Sequence, residues 1–292
     1  MINYKLFFKG AAMGCADLIP GVSGGTIALI TGIYEELINS IKSIDGQALK
    51  LLLKLRIKDL WQHVNGLFLL HVFGGILLSI FSLSQLITFF LENHPIPLWS
   101  FFFGLILVSA FYVMPKKTSF TSFLFVIIGA ASAYIVTSLT PLETSEQLWF
   151  IFISGAIAIC AMILPGISGS FILILLAKYE FILNSVKEFD FKIIIIFGLG
   201  CATGLLSFSK LIHWLLQKYK AITMATLAGF MLGSLNKIWP WKTSSEVSFN
   251  NVLPSQFEEM TGEPNEFVLA SIFYVVGGVL VIILERFGRV AE

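Results

Sequence analysis

Six long apolar runs dominate the pattern of hydrophobic and polar positions, and they predict membrane-spanning helices. Each is long enough, or nearly so, to cross about 30 Å of hydrocarbon. They cover about residues 66–91, 97–114, 121–140, 191–217, 221–239 and 267–285. Two further apolar stretches, 4–42 and 148–186, are about twice the length of one span and are interrupted by proline and glycine. We expect each of these to fold as two helical arms of about 17 residues.

The two interrupted stretches are copies of one another. Residues 10–42 and 155–187 are identical at 14 of 33 positions when they are aligned at an offset of 145. The similarity continues beyond them at an offset of 125. Self-similarity over such a length indicates a duplication. We therefore predict one membrane domain, with repeat 1 over about residues 1–142 and repeat 2 over about residues 143–292.

Composition agrees with a membrane protein. Hydrophobic residues make up 57% of the 292 positions and charged residues only 13%, against about 25% charged residues in soluble domains. The net charge of +1 gives no reason to expect nucleic acid as a partner. Three cysteines lie in apolar segments, which indicates packing residues and no metal site or disulfide. The sequence does not indicate an oligomeric state.

The distribution of lysine and arginine predicts how the chain crosses the membrane. If both interrupted stretches are re-entrant and the termini are cytoplasmic, 14 of the 19 Lys and Arg residues lie on the inside or nearest to it. Each repeat then has three spans, so the second repeat is inverted. The predicted fold is an all-α polytopic membrane protein of two inverted-topology repeats, each a re-entrant helical hairpin plus three transmembrane helices.

Repeat 1 also contains a more polar insertion near residues 44–64. Lys50, Lys54 and Lys58 follow one another at intervals of four, while leucines fall on other faces. This spacing predicts an amphipathic helix on the cytoplasmic leaflet.

Each interruption is a Pro-Gly-x-Ser-Gly motif that predicts an anion site. Irregular backbone inside a membrane is tolerated only where protein or a water-filled cavity surrounds it. Serine there can cap the following arm, and the helix N-terminus attracts a phosphate or carboxylate. A simple packing kink is the alternative. The candidate binding residues are Pro20, Gly21, Ser23, Gly24, Gly25 and Thr26 in the first copy and Pro165, Gly166, Ser168, Gly169 and Ser170 in the second.

Ionisable side chains in apolar stretches are costly and often functional. Asp17, three residues before Pro20, is a candidate for coupling transport to protons or for shaping the loop. Glu35 and Glu180 recur in both copies and are candidates for coupling or gating, unless they are interfacial. Lys210 is a candidate phosphate contact, and its alternative is a side chain that extends toward the cytoplasm.

The Gly-x-Ser-Gly portion of each motif also raises the possibility of an intramembrane serine protease. A serine nucleophile needs a base within reach. The chain has four histidines, and none is matched by a histidine in the other repeat. They are His63, His71, His94 and His213. We therefore expect no enzyme activity, no catalytic residues and no cofactor.

The first motif is specific enough to suggest a family. With Ala-Asp-Leu-Ile-Pro-Gly-Val-Ser-Gly-Gly-Thr at 16–26 and its echo Leu-Pro-Gly-Ile-Ser-Gly-Ser at 164–170, the chain resembles the bacterial undecaprenyl-phosphate translocases over nearly its whole length. The resemblance implies a multi-pass protein of the bacterial cell membrane. It also implies that the protein returns a polyprenyl-phosphate carrier lipid from the outer to the inner leaflet after cell-wall polymers are released.

The resemblance implies that residues of both motifs take part in the binding site. Its residues are Asp17, Pro20, Gly21, Ser23, Gly24, Gly25, Thr26, Pro165, Gly166, Ser168 and Gly169. The second copy departs from the first, with Met162 at the position of Asp17 and Ser170 at that of Gly25. The residues alone also allow a small-anion transporter or channel. A lipid carrier differs from it in needing a lateral opening toward the bilayer.

Overall fold

Helices account for most of the chain, which a computed structural model describes over residues 3–116, 119–141, 144–244 and 249–289. The first half contains α1 (Tyr4–Asp17), α2 (Gly24–Ile30), α3 (Tyr34–Lys42), α4 (Gly46–Leu53), α5 (Ile57–His63), α6 (Gly66–Asn93), α7 (Pro95–Val113) and α8 (Phe120–Ser138). The second half contains α9 (Leu148–Ile163), α10 (Gly169–Leu175), α11 (Tyr179–Lys187), α12 (Phe191–Lys218), α13 (Lys220–Ser234), β1 (Lys242–Ser244), β2 (Phe249–Asn251), α14 (Pro254–Thr261) and α15 (Phe267–Arg289).

The six predicted apolar runs are the helices α6, α7, α8, α12, α13 and α15. Within the described ranges, five of them, all but α13, are long and apolar enough to cross a membrane. The bent pair α10 and α11 would bring the number to six if it formed one span. The chain is therefore an all-helical polytopic membrane protein apart from the short antiparallel pair β1 and β2. Helix α13 stops at Ser234, before the predicted end of its run at 239.

The second arm of each interrupted stretch is broken, so the prediction of single arms of about 17 residues was wrong. In the first copy α2 ends before Gly32, which has a φ of 76°. In the second copy α10 ends before Ala177, which has a φ of 50°, and α10 and α11 meet at 105°. The N–H groups of Ile33 and Lys178 donate back to carbonyl groups five residues earlier. This Schellman pattern satisfies the helix ends and turns the chain away from the helix axis.

The insertion near 44–64 forms two short helices, α4 and α5, where one amphipathic helix was predicted. Leu55 separates them with a φ of 53°, and Asp45 caps α4 by accepting from the N–H groups of Gln47 and Ala48 at 2.9 and 3.0 Å. Leu53 and Leu55 are 75% and 81% exposed. Exposed apolar side chains among lysines remain compatible with a position at the membrane surface.

Helix pairs pack across the boundary between the two halves of the chain. Helix α1 packs on α6 and α9 packs on α12 within their own halves, but α7 packs on α15 and α13 packs on α8. Glycine makes these contacts close, because a Cβ at Gly104 would lie 2.1 Å from the carbonyl oxygen of Tyr274, and one at Gly233 would lie 2.1 Å from that of Ala130. Each half therefore depends on the other to bury its helices.

Helix α12 offers a matched test of this close packing. A Cβ at Gly200 would lie 2.0 Å from the carbonyl oxygen of Phe152 on α9, whereas a Cβ at Gly198 would meet nothing within 4 Å. We expect Gly200→Ala to destabilise the protein by about 1–3 kcal/mol, because it forces α9 and α12 apart. Gly198→Ala should be neutral or stabilise by up to about 1 kcal/mol, because alanine favours helix.

The measurement is thermal unfolding of the purified variants in detergent. Gly200→Ala should unfold at a lower temperature than the wild-type protein and than Gly198→Ala. Equal unfolding temperatures for the two variants would contradict the close contact between α9 and α12.

Candidate functional site

The two Pro-Gly-x-Ser-Gly breaks meet inside the helical bundle. Ser23 donates from Oγ to the carbonyl oxygen of Met162 at 3.1 Å. In the opposite direction, the N–H of Gly166 donates to Oγ1 of Thr26 at 3.2 Å. Gly25 permits this approach, because a Cβ there would lie 2.7 Å from the carbonyl oxygen of Ile163. Backbone groups freed by the second break are thus satisfied by side chains of the first.

Three hydroxyl-bearing side chains of the breaks are buried. Ser23, Thr26 and Ser168 are 1%, 0% and 5% exposed. Their neighbours Val22 and Ile167 are buried as well, at 1% and 7%. The meeting point is therefore a small polar region enclosed by apolar side chains, where electrostatic interactions are strong.

In the first break the N-terminus of α2 is capped by the protein itself. Asp17 accepts through Oδ1 from the N–H of Gly24 at 2.7 Å, and Ser23 accepts through Oγ from the N–H of Gly25 at 3.1 Å. Two amide groups that the sequence analysis left for a ligand are thus bonded within the chain. The negative charge at this positive helix end is a carboxylate of the protein.

In the second break the N-terminus of α10 lacks such caps. No side chain in the described part of the protein accepts a hydrogen bond from the first turn of α10. Met162 stands where the first copy has Asp17. Ser168 and Ser170 contact each other through their Oγ atoms at 2.7 Å. The two copies therefore differ in charge and in the number of amide groups that side chains cap.

Sequence reasoning missed two lysines here, Lys237 beside the breaks and Lys242 bonded to Lys237. Lys237 follows α13, and its Cγ would lie 3.1 Å from a Cβ at Gly21 of the first break. Its Nζ is 4.5 Å from the ring centre of Phe171 in α10 of the second hairpin. Lys242 in β1 donates from Nζ to the carbonyl oxygen of Lys237. Positive charge thus adjoins both copies of the motif.

The environment of Lys242 weakens its hold on its proton. Burial, and then the nearby charge of Lys237, lower the pKa of Lys242 to about 7. The Nζ atom lies 4.3 Å from the ring centre of Trp99. In the sequence Lys237 falls within the predicted apolar run 221–239 and Lys242 just beyond it, so neither was assigned to the site. The early end of α13 is what brings Lys237 to the breaks.

An apolar cavity of about 200 Å³ adjoins the same meeting point. Asp17 and Gly25 of the first hairpin and Met162 of the second lie in its wall. Phe73 of α6, which is 46% exposed, also lines it. The cavity thus connects the breaks with an exposed face of α6, a helix long and apolar enough to cross a membrane.

The other predicted residues lie in different surroundings. Glu35 forms an ion pair of 2.5 Å with Lys220 and so joins α3 to the beginning of α13. Its repeat partner Glu180 is exposed on α11, and Lys210 is exposed on α12. Neither of these two forms an ion pair within the described ranges. The structure thus brings Asp17 to the breaks and leaves Glu180 and Lys210 at the surface.

The histidines do not adjoin the serines of the motifs. His63 contacts Asp45 at 3.1 Å, and His71 accepts from the N–H of Asn3 at 2.9 Å. His94 packs against phenylalanine rings, and His213 contacts Asn39. Among the described hydrogen bonds, none joins a histidine to Ser23 or Ser168.

Comparison with known proteins identifies the family. Residues 13–254 match a family model described as undecaprenyl phosphate translocase-like. A protein of Vibrio cholerae serotype O1 named polyprenyl-phosphate transporter is 46% identical over 302 aligned positions, which cover 99% of this chain and 98% of that protein. A protein of Staphylococcus aureus with the same name is 36% identical over 253 positions, which cover 80% and 84%. No solved structure matches the chain significantly.

The matched residues include both interrupted stretches almost completely, so the resemblance suggested by the two motifs is confirmed. The identity to the Vibrio relative extends over nearly the whole of both chains. This chain belongs to the undecaprenyl phosphate translocase-like family of membrane proteins.

Proposed function

We propose that this chain is a flippase that returns undecaprenyl phosphate from the outer to the inner leaflet of the bacterial cell membrane. Its relatives are named polyprenyl-phosphate transporters. The observation that carries the proposal is the meeting of two interrupted hairpins beside Lys237. Helix breaks of this kind form the substrate sites of many transporters built from repeats.

The phosphate group binds where the breaks meet. The uncapped N-terminus of α10 and the hydroxyl groups of Ser168 and Ser170 supply donors, and Lys237 supplies positive charge. In the first break Asp17 keeps the end of α2 occupied. The motif residues that shape the irregular backbone and hold the breaks together are Pro20, Gly21, Ser23, Gly24, Gly25, Thr26, Pro165, Gly166 and Gly169. A role of Lys210 in guiding the phosphate stays a prediction.

We further propose that the hairpins enter the membrane from opposite faces. The lysine and arginine distribution supports an inverted second repeat, with both termini in the cytoplasm. The exchange of partners between α7, α8, α13 and α15 supports one domain made of both repeats. Two such hairpins would give the phosphate a path from each face to one shared site.

The proposed gating rests on corresponding residues of the two repeats, which differ in exposure and in ion pairing. Glu35 is paired with Lys220, whereas its repeat partner Glu180 is exposed. Tyr34 is 2% exposed, whereas its partner Tyr179 is 36% exposed. We infer that the side of hairpin 1 is closed in this conformation and that the side of hairpin 2 is open. If the side of hairpin 1 opened while the side of hairpin 2 closed, the site would become accessible from each leaflet in turn.

The alternatives are less well supported. A small-anion carrier has no need for an apolar cavity beside its site, whereas the cavity that Phe73 borders suits a lipid chain. A protease needs a base beside its serine, and the hydrogen bonds of Ser23 and Ser168 go to other groups. The name of the family is that of a transporter, so we propose that the chain is not an enzyme.

Transport by reconstituted protein tests the function. We expect the wild-type protein to move radiolabelled undecaprenyl phosphate across liposome membranes, so that external phosphatase no longer cleaves it. Lys237→Gln should reduce the rate about tenfold or more, because it removes a charged contact to the phosphate. Lys192→Gln, at an exposed position of α12, is the matched control and should transport normally.

A second arm measures efflux of inorganic phosphate from the same liposomes. Efflux without lipid transport would replace the proposed function by small-anion transport. Lipid transport that is equal in Lys237→Gln and Lys192→Gln would remove the lysine from the site.

Asp17 is proposed to couple transport to protons, because its charge lies beside the site of an anionic phosphate. Asp17→Asn keeps an oxygen that can accept from the N–H of Gly24 but cannot exchange a proton. We expect this variant to bind prenyl phosphate normally and to lose the dependence of the transport rate on pH. Asp17→Ala, which also removes the cap, should in addition unfold at a lower temperature.

The measurement is the transport rate as a function of pH for the wild type and both variants. Binding that is weakened equally at every pH in Asp17→Asn would assign Asp17 a structural role. Unchanged binding with an unchanged pH profile would exclude both roles.

A further inference from the structure

The hydroxyl group of Tyr34 is buried without a partner. Tyr34 begins α3 and is 2% exposed. Its Oη atom makes no hydrogen bond to any described residue. A buried hydroxyl group without a partner is destabilising, so each such group in a native protein calls for an explanation. A ligand that accepts a hydrogen bond from the hydroxyl group of Tyr34 would explain why it has no partner within the described part of the chain.

The same side chain lines the apolar cavity beside the breaks. The cavity has a volume of about 200 Å³. An apolar cavity of about 150 Å³ in another protein holds benzene, so this one can hold a small branched hydrocarbon group. Its wall includes Ile38 of α3, Ile76 of α6 and Leu205 of α12. Tyr34 and Asp17 are its polar members, and Asp17 already bonds Gly24 through one oxygen.

We propose that this cavity binds the isoprenyl unit next to the phosphate of the transported lipid, with Tyr34 donating a hydrogen bond from Oη to a phosphate oxygen. The inference rests on the proposed function and deepens it, because it gives the lipid chain a place. Gly25 and Met162 belong both to the wall of the cavity and to the breaks, so a phosphate at the breaks would lie next to the chain in the cavity. The rest of the chain would leave past Phe73 toward the bilayer.

The cavity lies against α3 of repeat 1 and not against its counterpart α11, although the Pro-Gly-x-Ser-Gly motif occurs in both repeats. In repeat 2 the partner of Tyr34 is Tyr179, which is 36% exposed, and the partner of Asp17 is Met162. Ile38 is 1% exposed, whereas its partner Leu183 is 42% exposed. The face of α11 that corresponds to the cavity wall is therefore open. This asymmetry supplies a matched control within the same chain.

The test compares two probes that differ only in the phosphate, farnesyl phosphate and farnesol. Binding of each radiolabelled probe is measured on the purified full-length protein in detergent. Tyr34→Phe should weaken farnesyl phosphate about tenfold or more, because it removes a hydrogen bond to a charged group. It should leave farnesol unchanged and should not lower the unfolding temperature, since the hydroxyl has no partner in the protein. Tyr179→Phe should change neither affinity.

A second variant tests the place of the chain. Leu205→Phe reduces the volume of the cavity and should weaken both probes alike. If the wild type transports lipid but Tyr34→Phe binds farnesyl phosphate as tightly as the wild type does, this inference is overturned and the proposed function is not. Competition for the cavity by ordinary phospholipid as strongly as by farnesyl phosphate would overturn it as well. Failure of the wild type both to bind and to transport would overturn the proposed function with it.

Discussion

The structure depends on one constraint, that polar backbone groups inside a membrane must find partners within the protein. The second Pro-Gly-x-Ser-Gly break frees such groups, and side chains of the first break satisfy them. Ser23 donates to the carbonyl oxygen of Met162, and the N–H of Gly166 donates to Thr26. The first break is capped by its own Asp17 and Ser23, but the second is not complete alone. Because its partners come from the other half of the chain, the backbone of the second break depends on the first.

The two halves nevertheless have different chemistry. Asp17 closes the N-terminus of α2, while Met162 leaves that of α10 without a side-chain cap. Tyr34 is buried against the cavity, while Tyr179 is exposed. A transporter needs two arrangements of similar free energy, and in the proposed alternation the two similar but unequal repeats would provide them. In the proposed function, the negative group in one repeat and Lys237 beside both breaks would allow an anion to be bound and released.

The sequence predicted the long elements well and the local turns less well. The apolar runs located α6, α7, α8, α12 and α15 closely, because burial in lipid demands length and hydrophobicity that few other structures share. The breaks at Gly32 and Ala177 were missed, since one left-handed residue in an apolar run leaves the hydrophobicity unchanged. Lys237 was missed because its role depends on where α13 ends. A structural role of Asp17 in shaping the loop was among the alternatives, but its hydrogen bond with the N–H of Gly24 was not predicted.

Entry of the two hairpins from opposite faces is the central claim, and the accessibility of single cysteines in intact cells tests it most directly. The background lacks Cys15, Cys160 and Cys201, and one variant carries Lys54→Cys while the other carries Glu259→Cys. Both positions are exposed. Entry from opposite faces predicts that a membrane-impermeant maleimide labels the cysteine at 259 in intact cells and the cysteine at 54 only after permeabilisation. Labelling of both positions from the same face would contradict it.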